Sequence, residues 1–334
     1  MHDPRVVHVR SNNDVLQTLH ALQRNRSKRT QRREFLIEGV RAINQAVLHG
    51  WQINAFIHGA ERGLSDWALQ HLHTRSAQHH YVLADSLMAD LSQRTETSEL
   101  MATVVMPPDD PARISAHVDR RISAHIEGRI SAHVDGRISA HVDRRISAHI
   151  DQHTGSTRPP ASRDAVSNRA PLVVLFDRPA SPGNLGSLIR SCDALGADGL
   201  LVTGHATDVY DPECVRASTG SLFSVPVVRI HQQAVLNNWL GTFRERWPTL
   251  QQVGADEAGP CRLDEHDFRA PTLLLLGNET WGLSAGYKAQ CDVLVHIPMH
   301  GAASSLNVAS AGSILLYEIA RQRAVAASEA VQAS

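Results

Sequence analysis

Residues Ile297–Gln322 read IPMHGAASSLNVASAGSILLYEIARQ. An apolar strand end turns at Pro298, passes through the small-residue loop Gly301-Ala302-Ala303-Ser304-Ser305, and enters a helix near Leu306. Loops of Gly, Ala and Ser let backbone approach a ligand closely, because little side chain stands in the way. Two earlier stretches have the same form. In Leu172–Arg190, LVVLFDRPASPGNLGSLIR, the apolar run Leu172–Phe176 predicts a buried parallel strand. Asp177 ends it, Pro179, Pro182 and Gly183 make a turn, and a helix then carries Asn184, Gly186 and Arg190. In Leu273–Leu283, LLLLGNETWGL, the strand Leu273–Leu276 ends in Gly277-Asn278-Glu279, followed by Gly282. All three polar clusters lie just past the C-terminal ends of predicted strands, where open α/β sheets bind ligands. The predicted fold class is α/β with a parallel sheet.

The three segments together resemble the SpoU/TrmH family of RNA ribose 2′-O-methyltransferases. Asn184, Gly186 and Arg190 match its first motif, Gly277, Glu279 and Gly282 its second, and Ser305, Leu306 and Asn307 its third. Asp211–Gly220, DPECVRASTG, is similar to the family's central linking segment, before a strand at Val225–Val228. The resemblance runs from Ala170 to about Arg323. It implies a parallel α/β domain whose C-terminal segment threads a deep trefoil knot, S-adenosylmethionine as methyl donor, rRNA or tRNA as substrate, and a homodimer packed through the knot region. No G-x-G-x-x-G fingerprint follows a predicted strand, so a dinucleotide-type pocket is not supported.

At 334 residues the chain has room for two domains, and 42% hydrophobic with 20% charged residues suits a globular protein. No run of 18 apolar residues predicts a membrane span, and the N-terminus lacks the apolar core of a signal peptide. Cys192, Cys214, Cys261 and Cys291 have no metal-type spacing and read as reduced thiols of a cytoplasmic protein, with no metal site. Net charge is −1, which alone argues for no polyanion partner. Its distribution argues otherwise: Arg24, Arg26, Lys28, Arg29, Arg32 and Arg33 place six cations within ten residues. A solvated helix face explains such a run in isolation; beside an RNA-modifying domain it reads as an RNA-binding patch.

Four parts are expected. Residues 1–107 form an RNA substrate-binding domain, which resembles the family's small ribosomal-protein-like α/β sandwich. Its expected elements are a helix capped by Asn13-Asp14, a Glu38-Gly39 corner into a second helix, and strands at Ile53–Ile57, Tyr81–Leu83 and Met101–Met106. Residues 108–169 are expected to be a flexible linker. Within it, residues 113–152 are five copies of an eight-residue unit: RISAHVDR, RISAHIEG, RISAHVDG, RISAHVDR and RISAHIDQ. The recurring histidines, His117, His125, His133, His141 and His149, turn by roughly 80° per repeat around a helix. They would spiral without lining one face, which argues against a metal array. Residues 170–323 form the methyltransferase domain, and 324–334 an Ala/Ser-rich frayed tail.

Arg190 is the first catalytic candidate, implied by the family to sit at the 2′-hydroxyl. A guanidinium keeps its proton and is a poor base, so fixing phosphate and stabilising a developing alkoxide suits it better. Asn184 orients Arg190 or the RNA, or caps its helix. Glu279 holds a catalytic partner or bonds backbone amides. Ser305 and Asn307 meet substrate or cap the last helix. The matching cofactor positions are Gly277, Ile297 and Leu306, with Thr203 and Gly204 at the second strand end. His300 reads as a solvated loop residue. A catalytically inactive RNA-binding relative is the alternative, and the intact set of motif residues argues against it.

Overall fold

The computed structural model describes residues 4–332 except 75, 76, 93, 95 and 125–169. Its N-terminal half runs β1 (Arg5–Val9), α1 (Asp14–Arg24), α2 (Arg26–Arg32), β2 (Glu34–Glu38), α3 (Val40–Leu48), β3 (Ile53–Gly59), α4 (Asp66–Thr74), β4 (His79–Leu83), α5 (Asp85–Leu91) and β5 (Leu100–Val105). The strands form a mixed sheet of order β1-β4-β3-β5-β2, with β5 antiparallel to both neighbours. The Asn13 side chain accepts from Leu16 N–H and starts α1. Three-residue spacing then turns Leu16, Leu19 and Leu22 onto one buried face. At the expected corner after Glu38, Gly39 has φ 90°, a conformation open to glycine at little cost, and the chain turns there into α3.

The second half contains β6 (Leu172–Asp177), α7 (Pro182–Ala194), β7 (Gly199–Thr203), α8 (Pro212–Ala217), β8 (Val227–Ile230), α9 (Gln233–Arg246), β9 (Gln251–Ala255), β10 (Cys261–Arg262), β11 (Thr272–Leu276), α10 (Ala285–Lys288), β12 (Val293–His296) and α11 (Val308–Gln332). Every pairing in the sheet β10-β12-β9-β11-β6-β7-β8 is parallel. The uninterrupted apolar runs of β6 and β11 follow from burial on both faces. Leu172, Val174 and Phe176 point to the side of α7 and α11, whereas Val173 and Leu175 point to that of α9. The domains share a core: the Phe35 ring lies 4.7 Å from that of Tyr210, and Trp51 Nε1 donates to Phe223 O at 3.0 Å.

Two expectations are corrected. The supposed frayed tail continues α11 as far as Gln332, because alanine is the strongest helix former. The start of the supposed flexible linker is also helical: residues 112–124 form a helix, α6, which covers the first repeat and half of the second. The histidine phase hid its logic. Ile114, Val118 and Ile122 recur every four residues, so they line one stripe. Ile114 and Val118 are buried among Leu201, Val228 and Trp239. Trp239 Nε1 donates to Ser115 Oγ at 3.0 Å, Arg113 donates to Val227 O at 3.1 Å, and Arg121 pairs with Asp198. The other repeats lie outside the described residues.

Candidate active site

The first and second motifs meet beyond the C-terminal ends of β6 and β11. Ser181 Oγ accepts from Asn184 N–H at 3.2 Å and caps α7, with Pro182 opening the helix. The capping role considered for Asn184 is therefore taken by Ser181, and the Asn184 amide is free to act elsewhere. Gly186 is a packing requirement: a Cβ there would lie 2.4 Å from Cys214 O and 2.7 Å from Ala217 Cβ, where α7 crosses α8. At Gly277 a Cβ would lie 2.1 Å from the Gly282 and Leu283 backbone. These motif glycines bring backbone segments together.

Glu279 sits at the centre of the polar cluster. Its Oε2 accepts from Ala180 N–H at 2.9 Å, and its Oε1 accepts from Ser181 N–H at 3.0 Å and from Asn184 Nδ2 at 3.2 Å. Burial pushes the carboxyl pKa up, but these hydrogen bonds outweigh it and hold the group below its ordinary value. One carboxylate thus bonds two backbone amides and the Asn184 side chain at the same time. Its hold on the Asn184 amide leaves Asn184 Oδ1 as acceptor for Asn307 Nδ2 at 2.9 Å. Asn307 Oδ1 in turn accepts from Ala309 N–H at 2.9 Å and Ser310 N–H at 3.3 Å, which makes Asn307, and not Ser305, the cap of α11. Three side chains from three separated motifs thus form one oriented chain at the N-terminal ends of two helices. Those ends favour negative charge.

Beside this chain opens a cavity of about 410 Å³. Gly277, Glu279, Ile297, Ser305 and Leu306 line it, over an apolar floor of Leu276, Val308 and Leu315. At its rim Lys288 pairs with Asp256, a pair that sequence reasoning did not single out. Thr203 and Gly204 lie elsewhere. Thr203 is buried, with its hydroxyl donating to Asp177 Oδ1 at 3.5 Å, and Gly204 packs under the Arg178 side chain. Asp177 is also engaged by Ser284 N–H at 3.0 Å and by Arg178, tying the first two motif loops together. The one signal for it in the sequence was a charged residue closing an apolar strand.

Arg190 lies six residues beyond Asn184 on α7, roughly 9 Å along the axis. It is exposed, and its guanidinium makes no hydrogen bond or ion pair among the described residues. His300 is exposed in its loop. Cys192 is wholly buried, and burial raises its pKa, as suits a packed core thiol. Of the six N-terminal cations, Arg24, Arg26, Lys28 and Arg32 are exposed, although Arg26 also donates to Ala206 O. Two are structural, contrary to expectation. Arg29 is buried, ion-pairs with Asp208 at 2.8 Å and Asp211 at 3.6 Å, and donates to Leu22 O and Gln23 O. Arg33 holds the carbonyls of Met106 and Pro107 from a left-handed backbone position.

Comparison with known proteins bears on this arrangement. Residues 171–317 match the model of the SpoU rRNA Methylase family, and residues 13–102 match the SpoU L30e-like domain. The chain is 40% identical, over 96% of its length and 94% of the other's, to the 23S rRNA (uridine(2479)-2′-O)-methyltransferase of Streptomyces viridochromogenes. The chain belongs to the SpoU rRNA methylase family. The SpoU methyltransferase AviRb of the same organism, crystallised with its cofactor AdoMet, superposes with a TM-score of 0.74 at 41% identity, over 93% of this chain and 98% of that one. An AdoMet-bound rRNA methyltransferase from Sinorhizobium meliloti shares the fold, with a TM-score of 0.68 at 24% identity, over 95% of this chain and 98% of that one. The SpoU domain holds the cavity and all three motifs, and the L30e-like domain carries the exposed basic patch.

Proposed function

We propose that the protein is an S-adenosylmethionine-dependent methyltransferase acting on a ribose 2′-hydroxyl of ribosomal RNA. The observation that carries this is the Glu279–Asn184–Asn307 chain beside the cavity, which joins the three motifs of a SpoU-family chain into one polar centre. The cavity suits the cofactor: its volume falls in the range of small-molecule sites, about 300–1,000 Å³. Apolar side chains floor it, and glycine and loop backbone reach its wall. Gly277, Ile297 and Leu306 would hold the group, which supplies a sulfonium-bound methyl.

The side chains divide the remaining work. Glu279 is a carboxylate held by three hydrogen bonds that favour its charged form, so its part is to orient Asn184 and not to accept a proton. Asn184 and Asn307 point fixed amides into the site. Arg190, always charged, fixes the phosphate and stabilises the developing alkoxide. Ser305 contacts the ribose; its exposure at the cavity wall supports this part. Arg24, Arg26, Lys28 and Arg32 meet the RNA backbone from the N-terminal domain. The segment before α11 threads the trefoil knot, and two copies pair through that region. Ile314, Tyr317 and Val325, exposed along α11, support the pairing. The protein works in the cytoplasm, where its RNA is.

Transfer of labelled methyl from S-adenosylmethionine to total RNA and to ribosomal particles, followed by mapping of 2′-O-methylated positions, tests the reading. Label appearing in ribosomal RNA only with intact Arg190 supports it. Cofactor binding without transfer to any RNA fraction overturns it.

A further inference from the structure

Trp281 is 78% exposed, the most open large apolar side chain among the described residues. Its support is rigid. Asn278 and Gly282 exchange both backbone hydrogen bonds at 3.0 Å, and Gly282 takes φ 63° to close the turn. Asn278 Oδ1 accepts from Thr280 N–H at 2.9 Å and from Trp281 N–H at 3.1 Å, while its Nδ2 donates to Arg178 O at 2.7 Å. The turn therefore presents an indole to water from a clamped backbone. It does so at the wall of the same cavity, two residues from the carboxylate that orients Asn184.

A large aromatic left in water on a fixed loop is a contact surface waiting for a flat partner. We propose that Trp281 stacks against the base of the nucleotide whose ribose is methylated. The assignment rests on the ribose methyltransferase reading and adds to it a contact that positions the substrate. A nucleotide held by its base on a fixed side chain presents its 2′-hydroxyl to the Asn184–Asn307 amides in one orientation. Single-stranded bases are held in this way on aromatic side chains. Every base has a π face, so this contact fixes position, and hydrogen bonds elsewhere choose the base.

Steady-state kinetics on ribosomal RNA with the full-length protein tests the assignment, using Trp281→Ala, Trp281→Leu and Trp281→Phe. Cofactor affinity by calorimetry and oligomeric state by sedimentation are measured on the same samples. The expected result is a KM for RNA raised about 10- to 100-fold in the alanine and leucine variants, the range that removal of one stack spans. Phenylalanine should restore most of it, with cofactor affinity and assembly unchanged. An unmoved KM overturns the assignment. Equal rescue by leucine, a matching loss of cofactor affinity, or dissociation of the assembly does so too, since each makes the indole a general apolar contact, a cofactor lid or an interface residue. A wild-type protein that binds cofactor yet methylates no RNA removes the underlying reading and this contact with it, an outcome distinct from a defect confined to the variants.

Discussion

Asn307 Nδ2 donates to Asn184 Oδ1 at 2.9 Å across 123 residues of chain, tying the start of α11 to the first turn of α7. Each amide in this pair is oriented by a partner that cannot be reversed. Glu279 only accepts, so it fixes Asn184; the helix N–H groups only donate, so they fix Asn307. Glu279→Gln breaks that logic, because an amide at this position can offer either end. Methyl transfer should fall about 100-fold through misorientation, with cofactor affinity retained. Parallel kinetics and calorimetry check this, and an unchanged turnover number would show that the orientation is set elsewhere.

The same carboxylate sets a pH dependence of stability. Burial raises its pKa, and the Ser181, Ala180 and Asn184 hydrogen bonds lower it by more, for a net depression below 4.5. A depressed carboxyl contributes stability that is present above its unfolded value and lost as pH falls through its folded value. Wild type and Glu279→Gln should therefore differ in urea midpoint at pH 7, and the difference should shrink only as pH falls below 4.5 and on through the depressed folded-state value. Chemical denaturation at the two ends of that window measures the convergence; a difference that persists unchanged in acid would assign the stability to packing.

Arg190 is exposed and free of protein partners among the described residues, so its removal should leave the fold intact. Arg190→Ala is expected to lower methyl transfer at least about 100-fold, as loss of a charge-stabilising donor does, at unchanged cofactor affinity. Parallel loss of cofactor binding in a titration would instead give the residue a structural part.

The basic run should separate into two classes. Arg29→Ala takes away the nearer of the two arginines paired with buried Asp208, leaving Arg229 at 3.9 Å, a loss of up to about 3 kcal/mol, visible as a lowered thermal midpoint. Arg24→Ala, Lys28→Ala and Arg32→Ala should leave that midpoint alone. They should weaken RNA binding and flatten its salt dependence by about one unit for each phosphate that is no longer neutralised. Filter binding across a salt series reads the second effect, and a steep slope in the triple variant would place the RNA on another face.

The docked repeat should behave as part of the catalytic domain. Ile114→Ala, in a wholly buried position against β7, is expected to cost about 2–5 kcal/mol. Deleting residues 129–152, three whole repeats beyond α6, should leave the thermal midpoint unchanged. A matching loss in the deletion would extend the structural role to the later repeats.

Much of this protein was legible in one dimension. Uninterrupted apolar runs announced buried parallel strands at Leu172–Phe176 and Leu273–Leu276, because a strand covered on both faces cannot alternate. Asn13 ahead of spaced leucines announced α1, and the three short motifs announced the family and the place of the candidate site. Local chemistry determines such features, since each depends on neighbours in the chain. What the residues do to one another was decided by tertiary structure. Arg29 and Arg32 look alike in the sequence, yet one is buried against Asp208 and the other faces water. Thr203 closes a strand and Gly277 follows one, but Thr203 faces Asp177 and not the cavity. Ile114 in an apparent spacer is core because β7 and α9 offer it a face. Asn184 and Asn307 acquire their orientation only when the loops after β6, β11 and β12 close on one another. A hydrogen bond across 123 residues has no local signature, because its energy exists only after the sheet has brought its partners together.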